Sequence, residues 1–241
     1  MEYGLKRGLK IAVPVLVAVA FLGSACTKTS TPTTACEGSI VLEDGYPTAA
    51  PDPSWWTNDT RPGGTSGITG GAAPFGCTSL QLTTDSTNAA KAQAFSYSEF
   101  GTDFDSITAV DYSAFRSSAS TGNPAVATSL NVELYGADVV DTVGNPDGYT
   151  TLVFEPYLQS GGAGAVGTDV WQEWDGAAGV WWSSRATNSQ PNRSTTLTWA
   201  QVQAANPGAV IGGFGLNLGS YNPGQVVGVD GLTFGSQFFD F

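Results

Sequence analysis

The sequence predicts an all-β fold: an antiparallel two-sheet β-sandwich of jelly-roll type, with one short helix near residues 198–206. Three observations predict it. Short apolar or alternating runs recur between Gly, Asn, Asp and Pro residues, the period-2 signature of half-buried strands. Long helical periodicity is almost absent. Apart from that one helix, the helices between successive strands that parallel α/β architectures need are missing. About ten strands, with turns every 8–12 residues, is the spacing of a sandwich.

The first residues are not part of that fold. Lys6, Arg7 and Lys10 precede an apolar run of twelve residues, Ile11 to Leu22, and Gly23-Ser24-Ala25 follows. This is the pattern of a bacterial export signal, and it is shorter than the ~20 residues a membrane span needs. Small residues before Cys26 resemble a lipobox, which implies that Cys26 is lipidated; the departure is Gly23 where such motifs favour Leu. The sequence therefore divides into residues 1–25 as export signal, 26–37 as a polar tether containing Pro, and 38–241 as the β-sandwich domain. Contact with a membrane is expected only through the lipid.

Two cysteines remain, Cys36 and Cys77. Export to an oxidising compartment favours a disulfide between them. It would close a loop of about 40 residues, worth roughly 3–4 kcal/mol by loop entropy.

Along the domain, Ser39 to Glu43 is a first strand. Residues 44–76 read as a long Pro/Gly/Thr-rich loop carrying Trp55 and Trp56, a length that often signals function. Strands follow at 78–84, 91–97, 106–116, 127–135 and 149–158. The segment TDVWQEWDGAAGVWWSSR, residues 168–185, holds four of the seven tryptophans and reads as two strands joined by Gly176-Ala177-Ala178-Gly179. Thr198 with Gln201 forms a capping box for the helix, which Asn206-Pro207-Gly208 stops. Strands at 209–218 and 225–234 close the domain.

Several short motifs resemble carbohydrate-binding-module jelly rolls of secreted bacterial proteins. They are Leu42-Glu43-Asp44-Gly45 followed by Trp55-Trp56, the strand Gly76-Cys77-Thr78-Ser79-Leu80-Gln81-Leu82, and the closing Val229-Asp230-Gly231-Leu232. The resemblance spans most of residues 38–235. It implies glycan binding, and it also implies a structural calcium between the first and last strands, at the positions of Glu43 and Asp230. Calcium takes six to eight oxygens.

Composition removes other functions. There is no histidine, and the net charge is −12. Without residues 1–25, six basic and twenty acidic residues leave −14. Such a chain repels phosphate backbones, so no nucleic-acid partner is expected. Ser-His-Asp and Cys-His catalysis are impossible, and two thiols without histidine make zinc improbable. A glycoside hydrolase needs only two carboxylates. Glu173 with Asp175, or Glu133 with Glu155, are the candidate pairs. Glu173-Trp174-Asp175 lacks the third acid of the laminarinase-like Glu-x-Asp-x-x-Glu pattern. Glu155, at the end of an apolar run, reads better as a hydrogen-bonded carboxylate that holds loops together.

Parity divides the tryptophans. Trp174 and Trp182 are expected in the core. Trp171 and Trp181 are expected partly exposed as a sugar platform, with Arg185 beside them and paired to Glu173. The expected function is non-catalytic glycan binding at the cell surface. A structural or adhesive surface protein with a protein partner is the second reading, and a glycosidase or lyase on the same scaffold is the third.

Overall fold

The computed structural model of the protein describes residues 40–241. The export segment, the tether, Cys26 and Cys36 lie outside these residues. Among the described residues no helix is long and apolar enough to cross a membrane.

In chain order the strands are β1 (Leu42–Glu43), β2 (Asp52–Trp56), β3 (Gly64–Gly70), β4 (Thr78–Thr84), β5 (Ala92–Tyr97), β6 (Val110–Arg116), β7 (Ser129–Tyr135) and β8 (Thr150–Phe154). There follow β9 (Trp171–Asp175), β10 (Val180–Ser183), β11 (Leu197–Thr198), helix α1 (Trp199–Ala205), β12 (Val210–Leu218), β13 (Val226–Phe234) and β14 (Gln237–Phe239). One sheet has eight strands in the order β1-β2-β5-β12-β7-β8-β10-β11, and the other has β3-β4-β13-β6-β9, with β14 on β13. Every pairing is antiparallel except β1 with β2. The all-β sandwich with a single short helix is therefore as the sequence predicts.

Alternation along each strand decides which side chains enter the core. Leu130, Val132 and Leu134 of β7 and Phe214, Leu216 and Leu218 of β12 face Leu80 and Leu82 of β4 and Val227 and Val229 of β13, all of them buried. Phe214 stacks on Phe234 across the sheets, with ring centroids 4.0 Å apart and planes within 9°. The helix plugs one end. Thr198 and Gln201 form the expected capping box, and the Trp199 indole N–H donates to the Ile107 carbonyl.

The long loop expected over 44–76 is not a loop throughout. It contains β2 and β3. β3 reads GTSGITG and has one large apolar residue, so nothing in its pattern marks a strand. Seven register pairs to β4 make it one, a case of tertiary pairing overriding local propensity. Trp55, on β2, is the plug of this region. Its ring packs edge-on against Phe214, Phe239 and Phe241 at 4.8–5.8 Å.

Candidate saccharide site

The tryptophan segment does not form a hairpin. β9 is an edge strand of the smaller sheet, paired to β6, while β10 lies in the larger sheet between β8 and β11. Gly176 to Gly179 is the corner where the chain changes sheets. The Gly176 and Ala177 amides both donate to the Val110 carbonyl. A Cβ at Gly179 would lie 2.3 Å from the Phe154 ring, so the corner requires glycine there.

This corner overturns the expected parity on β10. Trp174 is in the core as expected. Trp181, expected to be exposed, is fully buried against Phe154 and Trp199 at 5.4 and 4.8 Å, and its indole N–H donates to the Gly176 carbonyl at 2.7 Å. Trp182, expected inside, is the half-buried residue on the outer face. The period of the alternation is as expected and its sense is reversed, because a change of sheet reverses which side is inward.

The four residues expected to bind ligand do not converge. Trp171 lies half-buried on the outer face of the smaller sheet. It tilts over Phe115 at 5.4 Å, covers Gly228, and donates its indole N–H to the Ala72 carbonyl. Glu173 is exposed on that same strand. Arg185 is exposed beyond β10 in the larger sheet, and no ion pair joins it to Glu173 among the described residues.

The outer face of the eight-stranded sheet is where side chains converge. Register places Phe95, Gly215, Asn131, Val153 and Trp182 in one row across β5, β12, β7, β8 and β10. Gln93, Asn217 and Ser129 form the next row. At the Trp182 end a cavity of about 410 Å³ opens, within the size range of ligand pockets.

Its chemistry comes from a few groups. The Trp182 indole N–H and the Tyr157 hydroxyl both donate to Oε2 of Glu155, at 2.8 and 2.7 Å. Both bonds are made at the end of β8, where Pro156 opens a short 3₁₀ turn. Gln159 ties that turn to β10 through Val180, accepting its N–H and donating to its carbonyl. Burial and the Glu155 charge push the Tyr157 hydroxyl up to about 12. Arg193 sits over the Trp182 ring, 5.6 Å from its centroid. The loop carrying Arg193 is held by the fully buried Gln190, whose amide donates to the Trp181 and Thr195 carbonyls.

The floor is polar. The Ser129 hydroxyl bridges Asn131 and Asn217. Asn217 Oδ1 is buried and receives no hydrogen bond among the described residues, a state that costs roughly 1–3 kcal/mol. An aromatic plane, a fixed carboxylate, a guanidinium and an amide pair around one cavity suit a polyhydroxylated ring: apolar C–H faces stack and hydroxyls pair. Sequence reasoning identified Glu155 as a loop-holding carboxylate but did not connect it to Trp182, Tyr157, Arg193, Asn131 or Asn217. The alternation Ser129, Asn131, Glu133 on β7 and Thr151, Val153, Glu155 beyond it was the available signal.

Neither candidate carboxylate pair is assembled in this cavity. Glu133 faces Thr151, so Glu155 stands four residues farther along the neighbouring strand. That separation is roughly 13 Å, beyond the roughly 5–9.5 Å that glycoside hydrolysis requires. On the other sheet, Asp175 pairs directly with Asp111 and Glu173 with Ser113. Burial raises the Asp111 pKa, and the charges of Asp175 and Glu173 add to the rise. Glu43 and Asp230 belong to different sheets. Asp230 is buried and accepts the amide N–H groups of Phe75, Gly231 and Phe241, while Glu43 is exposed on the edge strand β1. No group of three or more His, Cys, Asp or Glu side chains able to hold a metal ion occurs among the described residues.

No protein-family model and no curated protein matches the chain. Among solved structures it is similar to a "putative sugar binding protein" of Bacteroides thetaiotaomicron VPI-5482, with 14% sequence identity and a TM-score of 0.41, over 82% of this chain and 94% of that one.

Proposed function

We propose that the protein is an exported, surface-held β-sandwich that binds a saccharide without hydrolysing it, and that the Trp182 cavity is its binding site. The observation that carries this reading is the Trp182–Glu155–Tyr157 triad. One carboxylate oxygen fixes the indole and the phenol at once, so the aromatic plane is set before a ligand arrives. Pre-organisation of this kind lowers the cost of binding. Export through residues 1–25, a lipid on Cys26 and a Cys36–Cys77 disulfide complete the proposal and would place the site at the cell surface.

The test is a polysaccharide array followed by calorimetry, with the wild-type protein and Trp182→Ala side by side. At least one polysaccharide should be retained, and the variant should bind it at least about tenfold more weakly, a loss of about 1.4 kcal/mol. No signal on any polysaccharide, or equal retention by the variant, would sink the proposal. Release of new reducing ends in the same incubation would replace binding by hydrolysis.

A further inference from the structure

At the other end of the same sheet face lies a second cavity, of about 480 Å³. Its walls differ from those of the first. Tyr97 of β5, Tyr135 of β7, Tyr149 just before β8 and Tyr46 from the loop after β1 surround Glu133. Tyr135 and Tyr149 pack with ring centroids 5.5 Å apart and planes tilted by 54°. Gly212 of β12 also lines it, and the tyrosine rings lie close over the glycine backbone. A Cβ on Gly212 would meet the Tyr135 ring at 2.7 Å, and one on Gly213 would meet the Tyr97 ring at 3.0 Å.

The polar groups are fixed. Glu133 Oε1 accepts the Tyr149 hydroxyl at 2.9 Å. The Tyr97 hydroxyl accepts the Asn58 amide at 2.7 Å. Among the described residues Glu133 has no ion-pair partner: the two ion pairs present both use Asp59, one with Arg61 and one with Lys91. Burial raises the Glu133 pKa, which means that its negative charge is poorly solvated. Burial and the Glu133 charge both raise the hydroxyls of Tyr97, Tyr135 and Tyr149, so these three phenols are neutral.

We propose that this cavity is a binding site for an organic cation, an alkylammonium head group, held by the Tyr97, Tyr135 and Tyr149 rings with Glu133 as counter-charge. The face of an aromatic ring attracts cations, most strongly in a desolvated setting, and aromatic cages are built on that attraction. A single carboxylate among phenols offers too few oxygens for calcium, which takes six to eight. A quaternary ammonium needs none, because it forms no hydrogen bonds through its methyl groups. The site is separate from the Trp182 cavity and does not depend on the saccharide reading.

The test uses choline, its neutral carbon isostere 3,3-dimethylbutan-1-ol, and phosphatidylcholine vesicles, each titrated against the wild-type protein, Glu133→Gln, Tyr149→Phe and Trp182→Ala. Binding of choline, or of choline displayed on the vesicles, should exceed that of the isostere by at least about tenfold. Glu133→Gln should weaken it by at least about tenfold, while Tyr149→Phe, which keeps the ring, should fold and bind nearly as wild type. Trp182→Ala should leave it unchanged. Which of the two choline arms responds distinguishes a soluble ligand from a lipid head group. Equal binding of the neutral isostere, binding indifferent to Glu133→Gln in a variant that melts as wild type, or no binding in either choline arm would overturn the site.

Discussion

The two faces of the eight-stranded sheet share every backbone hydrogen bond and differ in almost everything else. Trp181 and Trp182 are adjacent residues that point to opposite sides. Trp181 is fully buried in an aromatic cluster. Trp182 is half-buried beside a carboxylate and under a guanidinium. The outer face is no less covered in places: Gln93, Asn131 and Ser129 are 5%, 9% and 6% exposed. Burial alone therefore does not mark the core. What separates the faces is the kind of group they bury. Inside, the covered surface is aromatic and aliphatic, and its unpaired polar atoms include the indole N–H groups of Trp55 and Trp174. Outside, the covered groups are amides and hydroxyls, and Asn217 Oδ1 has no donor among the described residues.

That contrast can be broken most forcefully at Trp181. Trp181→Ala should cost about 3–5 kcal/mol in urea denaturation, because it empties a site that the rigid core cannot refill. Trp182→Ala should cost less than about 1 kcal/mol in the same assay, since its ring is only half covered. Equal losses would mean that both rings are packing residues and that the outer face is a second core.

A smaller effect compares a complete buried polar group with an incomplete one. Asp230→Ala leaves the Phe75, Gly231 and Phe241 amides without their acceptor, and should lower stability by about 3 kcal/mol. Asn217→Ala removes an atom that had no donor and one amide contact to Ser129 at 3.3 Å. It should cost less than about 1 kcal/mol while weakening saccharide retention on the array. If Asn217→Ala proved as damaging as Asp230→Ala, the amide would be a structural strut.

The smallest effect is in the pH profile. Burial holds the Glu133 carboxyl above its usual range. Between the usual glutamate value and the raised one, the folded protein keeps a proton that the unfolded chain has lost. Stability contributed by this group therefore falls as pH rises through that interval. Glu133→Gln removes the fall. The melting temperature of the variant relative to wild type should climb as pH goes from about 4 toward neutrality, on top of any constant offset from the altered bond to Tyr149. A difference that stays flat, or runs the other way, would show that Glu133 titrates as an exposed carboxylate.

Much of the fold was legible in the sequence because it rests on period-2 patterns and one strong cap. TSLQLTT at 78–84 is a strand from its alternation alone, and it is β4 residue for residue. Thr198 and Gln201 specify where the helix starts with two side chains. β3 was not legible, since a glycine-rich edge strand owes its conformation to the neighbour it pairs with. The site was illegible for a related reason. Trp182, Glu155, Arg193 and Asn217 come from four separate stretches of the chain, and register between β7, β8, β10 and β12 brings them together. Sequence alternation gave the two sides of β10 correctly, but which side faces inward depends on the corner at Gly176, a property of the sandwich and not of the strand.

The bare stretch of β12 bears on how recognition by this sheet can change over evolutionary time. Gly212, Gly213 and Gly215 form the floor between the two cavities, and rings of Tyr135, Tyr97 and Phe95 lie where their side chains would be. A side chain there would have to displace one of those rings, by a few tenths of an ångström at Gly213 and by more at Gly212 and Gly215. The floor is thus closed to gradual retuning, and new ligand preferences must arise at the rims: the loop that carries Arg193 over one cavity and the loop that carries Tyr46 over the other. Lineages of this sandwich should diverge in those two loops while the glycines stay fixed.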